Sequence, residues 1–134
     1  MTESARAEFR YLDLDEVVEL ARRMLSDPPP IRDMGLLGSA VARPQTTLFG
    51  DDAYPDLWTK AAALLQSLVC NHALIDGNKR LGWASTATFL ELNGVKASDA
   101  PDDDVYDLVI EGSTTHQEIE YLASRLRTVV SGAS

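Results

Sequence analysis

Cysteine is almost absent from this chain: Cys70 stands alone among 134 residues. An internal disulfide and a cysteine-rich zinc site are both excluded, and a reducing cytoplasm is the expected setting. Positive charge is also scarce. Twelve Lys and Arg face 21 Asp and Glu for a net charge of −9, a balance that repels phosphate backbones and anionic lipid headgroups. Direct binding of nucleic acid is therefore not expected. Unbroken apolar runs such as Ala61 to Leu65 fall far short of the ~20 residues that span a bilayer. No apolar signal stretch follows Met1, so neither membrane nor export is expected. Internal repeats and low-complexity tracts are missing as well.

What is present has the ordinary globular balance, 45% hydrophobic and 25% charged, and argues for one folded unit. A chain of this size buries roughly two-thirds of its unfolded surface and needs no structural metal. Residues 1–10 lack periodicity and read as a flexible leader, with the domain covering 11–134. From Asp13, the apolar positions Leu14, Val17, Val18, Ala21, Met24 and Leu25 fall at helical spacing. Pro28, Pro29 and Pro30 end that helix, because proline lacks an N–H and disfavours helix in the residue before it. A second helix is expected over Asp33 to Ala42. Gln45 to Tyr54 joins a Thr-Thr-Leu-Phe run to Gly50-Asp51-Asp52, the pattern of an exposed extended flap.

Leu57, Ala61, Leu64, Leu65, Leu68 and Val69 give a strong helical stripe running to about Asn71, with Pro55 and Asp56 suited to its start. Asn78 to Asn93 forms the next helix, stopped by Asn93-Gly94. Its length of roughly 24 Å makes it the expected central helix of a small bundle. Asp102, Asp103 and Asp104 read as the solvated start of a helix over 101–111. Thr115 and Glu118 resemble a capping box for a last helix carrying Ile119, Leu122, Leu126 and Val129. The sum is an all-α, compact bundle of about six helices with a short flap segment. Cys70 is read as a core residue, Trp58, Trp83 and Phe89 as packing residues, and His116, with no partner in sequence, as no metal ligand.

The chemistry is concentrated in His72-Ala73-Leu74-Ile75-Asp76-Gly77-Asn78-Lys79-Arg80, between the two most apolar helices. A helix start exposes unpaired N–H groups and the positive end of the helix dipole, so Gly77, Asn78 and Lys79 can form a nest for an anion. Gly77 lets a phosphate approach because it has no Cβ. Lys79 and Arg80 add two positive charges in a negative chain, and the ligand expected is a polyphosphate. Asp76 is placed to hold the Mg²⁺ that travels with a nucleotide, since that ion often takes one or two protein carboxylates. His72 can take the proton of an attacking hydroxyl, a role worth roughly 10² to 10⁴ in rate. Singly, each has a plainer reading: a histidine at a helix end, a turn dipeptide, an N-cap asparagine, a solvated Lys-Arg pair. Their coincidence at one helix start favours a site.

The stretch HALIDGNKR resembles the signature of the Fic/Doc superfamily, specifically the Doc branch with its H-x-F-x-D-[AG]-N-K-R motif. Chain length, the helices flanking the motif and the late helix suit the same family from about Tyr11 onward. The resemblance implies the Fic fold, the toxin half of a bacterial toxin–antitoxin pair, a cognate antitoxin as partner, and ATP with Mg²⁺. In the AMP-transferring branch the motif reads H-x-F-x-x-G-N-G-R-x-x-R; here Lys79 replaces its last glycine and Trp83 its last arginine. Both changes favour the Doc-type kinase, which moves the γ-phosphate of ATP to a threonine of elongation factor Tu. By the same resemblance, His72 is the base, Asp76 the metal ligand, and Asn78 with Gly77 the anion contact, while Lys79 and Arg80 are phosphate contacts. Leu74 stands where the motif has phenylalanine. The flap would dock the target segment by strand pairing. Asp107 to Gly112 approaches the family's inhibitory [ST]-x-x-x-E-[GN] motif but has Asp at its first position, and is taken as coincidence. An AMP transferase and a catalytically silent antitoxin-binding module are the alternatives.

Overall fold

The computed structural model describes residues 8–114 and 117–132. Six α-helices and one small hairpin follow in the order α1 (Leu14–Met24), α2 (Met34–Ala42), a 3-10 turn (Arg43–Gln45), β1 (Thr47–Leu48), β2 (Asp51–Asp52), α3 (Leu57–Cys70), α4 (Asn78–Leu92), α5 (Asp102–Thr114) and α6 (Ile119–Ser131). The all-α bundle expected from the apolar spacing is the fold observed.

Aspartates start the first three helices. Asp13, Asp33 and Asp56 each accept a hydrogen bond from the third helical N–H, at 2.8, 2.9 and 2.8 Å, filling one of the donors that a helix start leaves open. For α1 and α3 the bond is reciprocal, with Glu16 and Thr59 completing capping boxes.

The central helix is α3, not α4. Lys60 through Val69 are all buried, and α3 packs on α2, α4, α5 and α6 together. A helix apolar on every side belongs in the middle; α4 keeps half of its faces polar or partly exposed. The two cross closely at Gly82, where a Cβ would lie 2.7 Å from Val69 Cγ1.

α6 starts later than the capping-box reading places it. Glu118 is not inside the helix but is its N-cap residue, and its side chain makes no capping bond; Thr115 and His116 lie outside the described residues. Gln66 on α3 explains the shift, because its Nε2 donates to the Gln117 carbonyl at 2.9 Å and holds that segment extended.

The flap is a two-residue ladder, Thr47 opposite Asp52 and Leu48 opposite Asp51. Phe49 and Gly50 turn it with φ of +53° and +86°, the signs that a tight hairpin turn requires. Leu48 and Phe49 at its tip are exposed. Its root is fixed by Lys60, which is fully buried and donates from Nζ to Asp52 Oδ2 at 3.2 Å and to the Pro44 carbonyl at 3.4 Å. The same ammonium sits 5.0 Å from the Phe9 ring centre and 5.6 Å from that of Tyr11, within cation–π range. Residues 1–7 of the expected leader lie outside the described residues; Arg10 exchanges backbone hydrogen bonds with the Asn93 side chain, both at 2.9 Å. No helix among the described residues is long and apolar enough to cross a membrane.

Candidate active site

The junction between α3 and α4 opens as a groove of about 670 Å³, lined among others by His72, Ile75, Asp76, Gly77, Asn78, Lys79, Arg80 and Trp83. Every site residue expected from the motif therefore reaches one cavity. Val105, Tyr106, Val109 and Ile110 of α5 form its facing wall, and Met24 closes one end.

His72 follows the C-cap Asn71 with φ of +54°. That left-handed position past a helix end is usually glycine's, and a side chain there costs about 1–2 kcal/mol. The exposed imidazole is turned out of the helix line and into the groove wall. The loop holding it is braced from a distant segment. Arg32 Nη2 donates to the His72 carbonyl, the N–H groups of Arg32 and Asp33 donate to the Ala73 carbonyl at 2.8 and 3.0 Å, and Ile75 N–H donates to the Pro30 carbonyl at 2.9 Å. Ile31 and Leu74 form an isolated antiparallel bridge. The triple proline thus does more than stop α1: it delivers an extended strap to the motif loop.

Leu74 is buried in the core cluster, so the smaller apolar side chain anchors the loop where the motif has an aromatic. Asn78 locks it there. Its Oδ1 accepts from Leu74 N–H at 3.0 Å and its Nδ2 donates to the Leu74 carbonyl at 3.1 Å. A carboxamide tied at both ends to the loop is a brace, which leaves the backbone N–H of Asn78 for the anion contact expected of it with Gly77.

Gly77 is the N-cap of α4, with φ of +93° and no side-chain cap. The first bond of α4 runs from Leu81 N–H to the Gly77 carbonyl, so the N–H groups of Asn78, Lys79 and Arg80 have no partner within the helix. Where α1 to α3 fill this position with an aspartate, α4 leaves it to whatever enters the groove. Lys79 and Arg80 are exposed beside it. Arg80 Nη2 donates to the Met24 carbonyl at 2.9 Å, a neutral acceptor that fixes the guanidinium without cancelling its charge. Asp76 is exposed at the groove. No group of three or more His, Cys, Asp or Glu could hold a metal among the described residues; one open carboxylate fits Mg²⁺ only when phosphate oxygens and water complete its shell.

Trp58 and Trp83 are half-buried and pack against the core cluster as expected, Trp83 also lining the groove, and Phe89 lies in the core itself. Cys70, expected in the core, packs against the core cluster without being enclosed by it. It is half-buried, and its thiol donates to the Gly112 carbonyl at 3.2 Å; burial pushes the thiol up and the nearby Arg43 charge opposes that rise. Glu111, the acid of the near-match to the inhibitory motif, faces α6 instead of the groove. It accepts from Tyr121 Oη at 2.6 Å and from Arg125 Nε at 2.9 Å. Partial burial works against its ionisation, but those two bonds outweigh burial and hold the carboxyl below its ordinary range. Sequence reasoning missed Arg32, Lys60 and the bracing role of Asn78.

The class is set by the fold and by where it opens: a helical bundle with a groove at the junction of α3 and α4, lined by the uncapped start of α4 and by His72. Residues 11–90 match the Fic/DOC family, and the chain belongs to it. A relative from Mycolicibacterium smegmatis, Toxin Doc, is 50% identical over 117 residues, covering 87% of this chain and 90% of its own length.

Proposed function

We propose that this chain is a Doc-like toxin of a bacterial toxin–antitoxin pair, acting in the cytoplasm as a kinase that moves the γ-phosphate of ATP to a Ser or Thr hydroxyl of a translation factor. The Fic/Doc domain covers 11–134. The observation that carries the reading is the shared groove: a strained, exposed His72 and the uncapped, doubly cationic start of α4 line one cavity. The similarity to Toxin Doc supports the toxin role and a cognate antitoxin as partner. By the family resemblance the target is elongation factor Tu.

Phosphoryl transfer asks mainly for positioning and charge stabilisation. The amides of Asn78, Lys79 and Arg80 bind phosphate oxygens, with Gly77 leaving room for their approach. Lys79 and Arg80 offset the negative charge that spreads over the transferring group. His72 accepts the proton of the acceptor hydroxyl as its oxygen bonds to the γ-phosphorus, and the bond to the β–γ bridging oxygen breaks to release ADP. Asp76 would hold Mg²⁺, which supplies charge neutralisation across the phosphates when bound. The apolar wall of Trp83, Val105 and Tyr106 suits a flat heteroaromatic ring. Lys79 in place of glycine and Trp83 in place of arginine favour this reaction over AMP transfer, because the first fills part of the anion site and the second removes a phosphate clamp.

The test is incubation with Mg²⁺, cell extract and ATP labelled in either the α or the γ phosphate. Label from γ on protein is expected. Label from α would replace the kinase by an AMP transferase, and no label from either would leave an antitoxin-binding module. Asp76→Asn should raise the Mg²⁺ concentration needed for nucleotide binding; an unchanged Mg²⁺ dependence removes the metal role.

A further inference from the structure

A second cleft of about 530 Å³ lies on the other side of the His72 loop, lined by Ser39, Ala42, Arg43, Thr46, Gln66, Ser67, Cys70 and Asn71. Asn71 faces this cleft and the next residue, His72, lines the first groove, so the two cavities meet across one residue of backbone. Thr46, at the root of the flap, forms part of its edge.

Arg43 gives the cleft its chemistry. Its Nε donates to Tyr54 Oη at 3.0 Å, and its Nη1 donates to Gln66 Oε1 at 2.9 Å, Ser67 Oγ at 3.0 Å and the Ala63 carbonyl at 3.3 Å. All four acceptors are neutral. No carboxylate pairs with Arg43 among the described residues, although Arg22, Arg23, Lys60, Lys96 and Arg125 each have one. Nη2 makes no hydrogen bond among the described residues and is not among the buried unpaired atoms, so it keeps access to solvent in a residue that lines the cleft. Three bonds to α3 fix the guanidinium in place, and its carbon lies 5.3 Å from the Tyr54 ring centre, so its charge meets an aromatic face and neutral acceptors but no anion, in a chain with a net charge of −9. With Nε and Nη1 already occupied, Nη2 is left to make one charge-assisted hydrogen bond, and a carboxylate is the acceptor that such a pre-positioned cation favours.

We propose that the Arg43 cleft is an acceptor-side subsite that takes an Asp or Glu side chain of the protein whose hydroxyl is presented to His72. The assignment rests on the kinase reading above. An extended segment crossing the ridge at Asn71 and His72 places its hydroxyl over the first groove and a nearby acidic side chain over the second. The bridging of the two cavities by one polypeptide selects among acceptors that differ only in charge close to the hydroxyl.

Cys70 supplies a readout that needs no catalysis, since the sole cysteine of the chain lines this cleft. Threonine-centred decapeptides carrying either Glu or Gln at each flanking position are added without nucleotide, and alkylation of Cys70 by iodoacetamide is followed. At one or more positions the Glu peptide should slow alkylation at roughly five-fold lower concentration than its Gln twin, the scale of a partly solvated ion pair. Ser39→Glu keeps Arg43 and its bonds to α3 but puts a carboxylate four residues before it on the exposed face of α2, where such pairs form. In that variant the Glu preference should vanish, so that Glu and Gln peptides protect Cys70 alike.

Equal protection by Glu and Gln peptides, or a preference that survives Ser39→Glu, would overturn the subsite whatever the labelled-ATP assay shows. Protection by acetate at the same concentration would reduce the cleft to a general anion site and overturn the polypeptide assignment. In the transfer assay the preferred Glu peptide should also show a lower KM with kcat unchanged. A binding preference without any γ-label transfer would overturn the acceptor role together with the reaction, and would leave a carboxylate-binding cleft of another purpose.

Discussion

Gly77→Ala puts the start of α4 under the most direct structural load. The residue sits at φ of +93°, and a Cβ there would lie 2.8 Å from Leu25 Cδ1 and 2.9 Å from Leu25 Cδ2. Left-handed backbone with a side chain costs about 1–2 kcal/mol, and forcing a methyl into filled space adds about 1–3 kcal/mol. The smaller entropy of the unfolded alanine chain returns about 0.4–1 kcal/mol. The net loss is about 1–4.5 kcal/mol, which for a domain of this size lowers Tm by roughly 5–15 °C. Urea and thermal unfolding measure it. Adding Leu25→Ala tests the cause, because it removes the clash and leaves the dihedral strain: the double variant should lose about 1–3 kcal/mol less than the two single losses combined. A Gly77→Ala protein within about 0.5 kcal/mol of the parent, a difference typical of neutral surface changes, would refute the reasoning. So would strict additivity with Leu25→Ala.

Lys60→Met keeps the buried stem and removes the charge that faces Asp52, Phe9 and Tyr11. Losing the hydrogen bonds of a buried ammonium to a partly exposed carboxylate costs about 1–3 kcal/mol, and chymotrypsin should cut the flap at Phe49 faster in the folded variant; unchanged stability and cleavage would deny Lys60 its anchoring role. Glu19 is held to about 2 by hydrogen bonds from Arg22 and then Arg23. A carboxyl lowered on folding stabilises above its unfolded value, and that contribution is lost as pH falls from the ordinary 4.5 toward about 2. The stability difference between the parent and Glu19→Gln should therefore shrink across that window, and shrink at all pH values in high salt because the cluster is exposed. A difference that persists below pH 2 would contradict the assignment.

Much of the bundle was readable because its signals are local. Asp13, Asp33 and Asp56 stand directly before apolar stripes, and the Asn93-Gly94 stop ends α4 within a residue of its reading. The failures share a physical cause, which is contact between distant segments. Gln66 fixes Gln117 from 51 positions away and so moves the start of α6. Lys60 looks like a solvated position until Phe9, Tyr11 and Asp52 close over it. α3 and α4 are both apolar, and only their packing partners reveal which is central.

The site divides in the same way. His72, Asp76, Gly77, Lys79 and Arg80 were legible as a run because helix starts and cation pairs have sequence signatures. Arg32 was not, lying 40 positions from the carbonyl it braces. Asn78 was assigned from its place beside Gly77, but the loop folds back so that Leu74 claims both ends of its carboxamide. Cys70 read as core because a lone apolar thiol on a buried helix usually is; the turn at His72 instead leaves the last residue of α3 at the rim of a cleft.

The central claim is that the imidazole at the end of α3 takes the proton of a hydroxyl that attacks a phosphate donor held at the start of α4. Its most direct test measures γ-label transfer and MgATP affinity side by side in the parent and in His72→Ala. The account predicts that transfer falls at least 10²-fold, the lower range for a lost general base, while the Kd for MgATP stays within about three-fold, since alanine leaves the amides and both cations in place. Full transfer by His72→Ala, or loss of nucleotide binding in parallel with activity in a variant that remains folded, would contradict it.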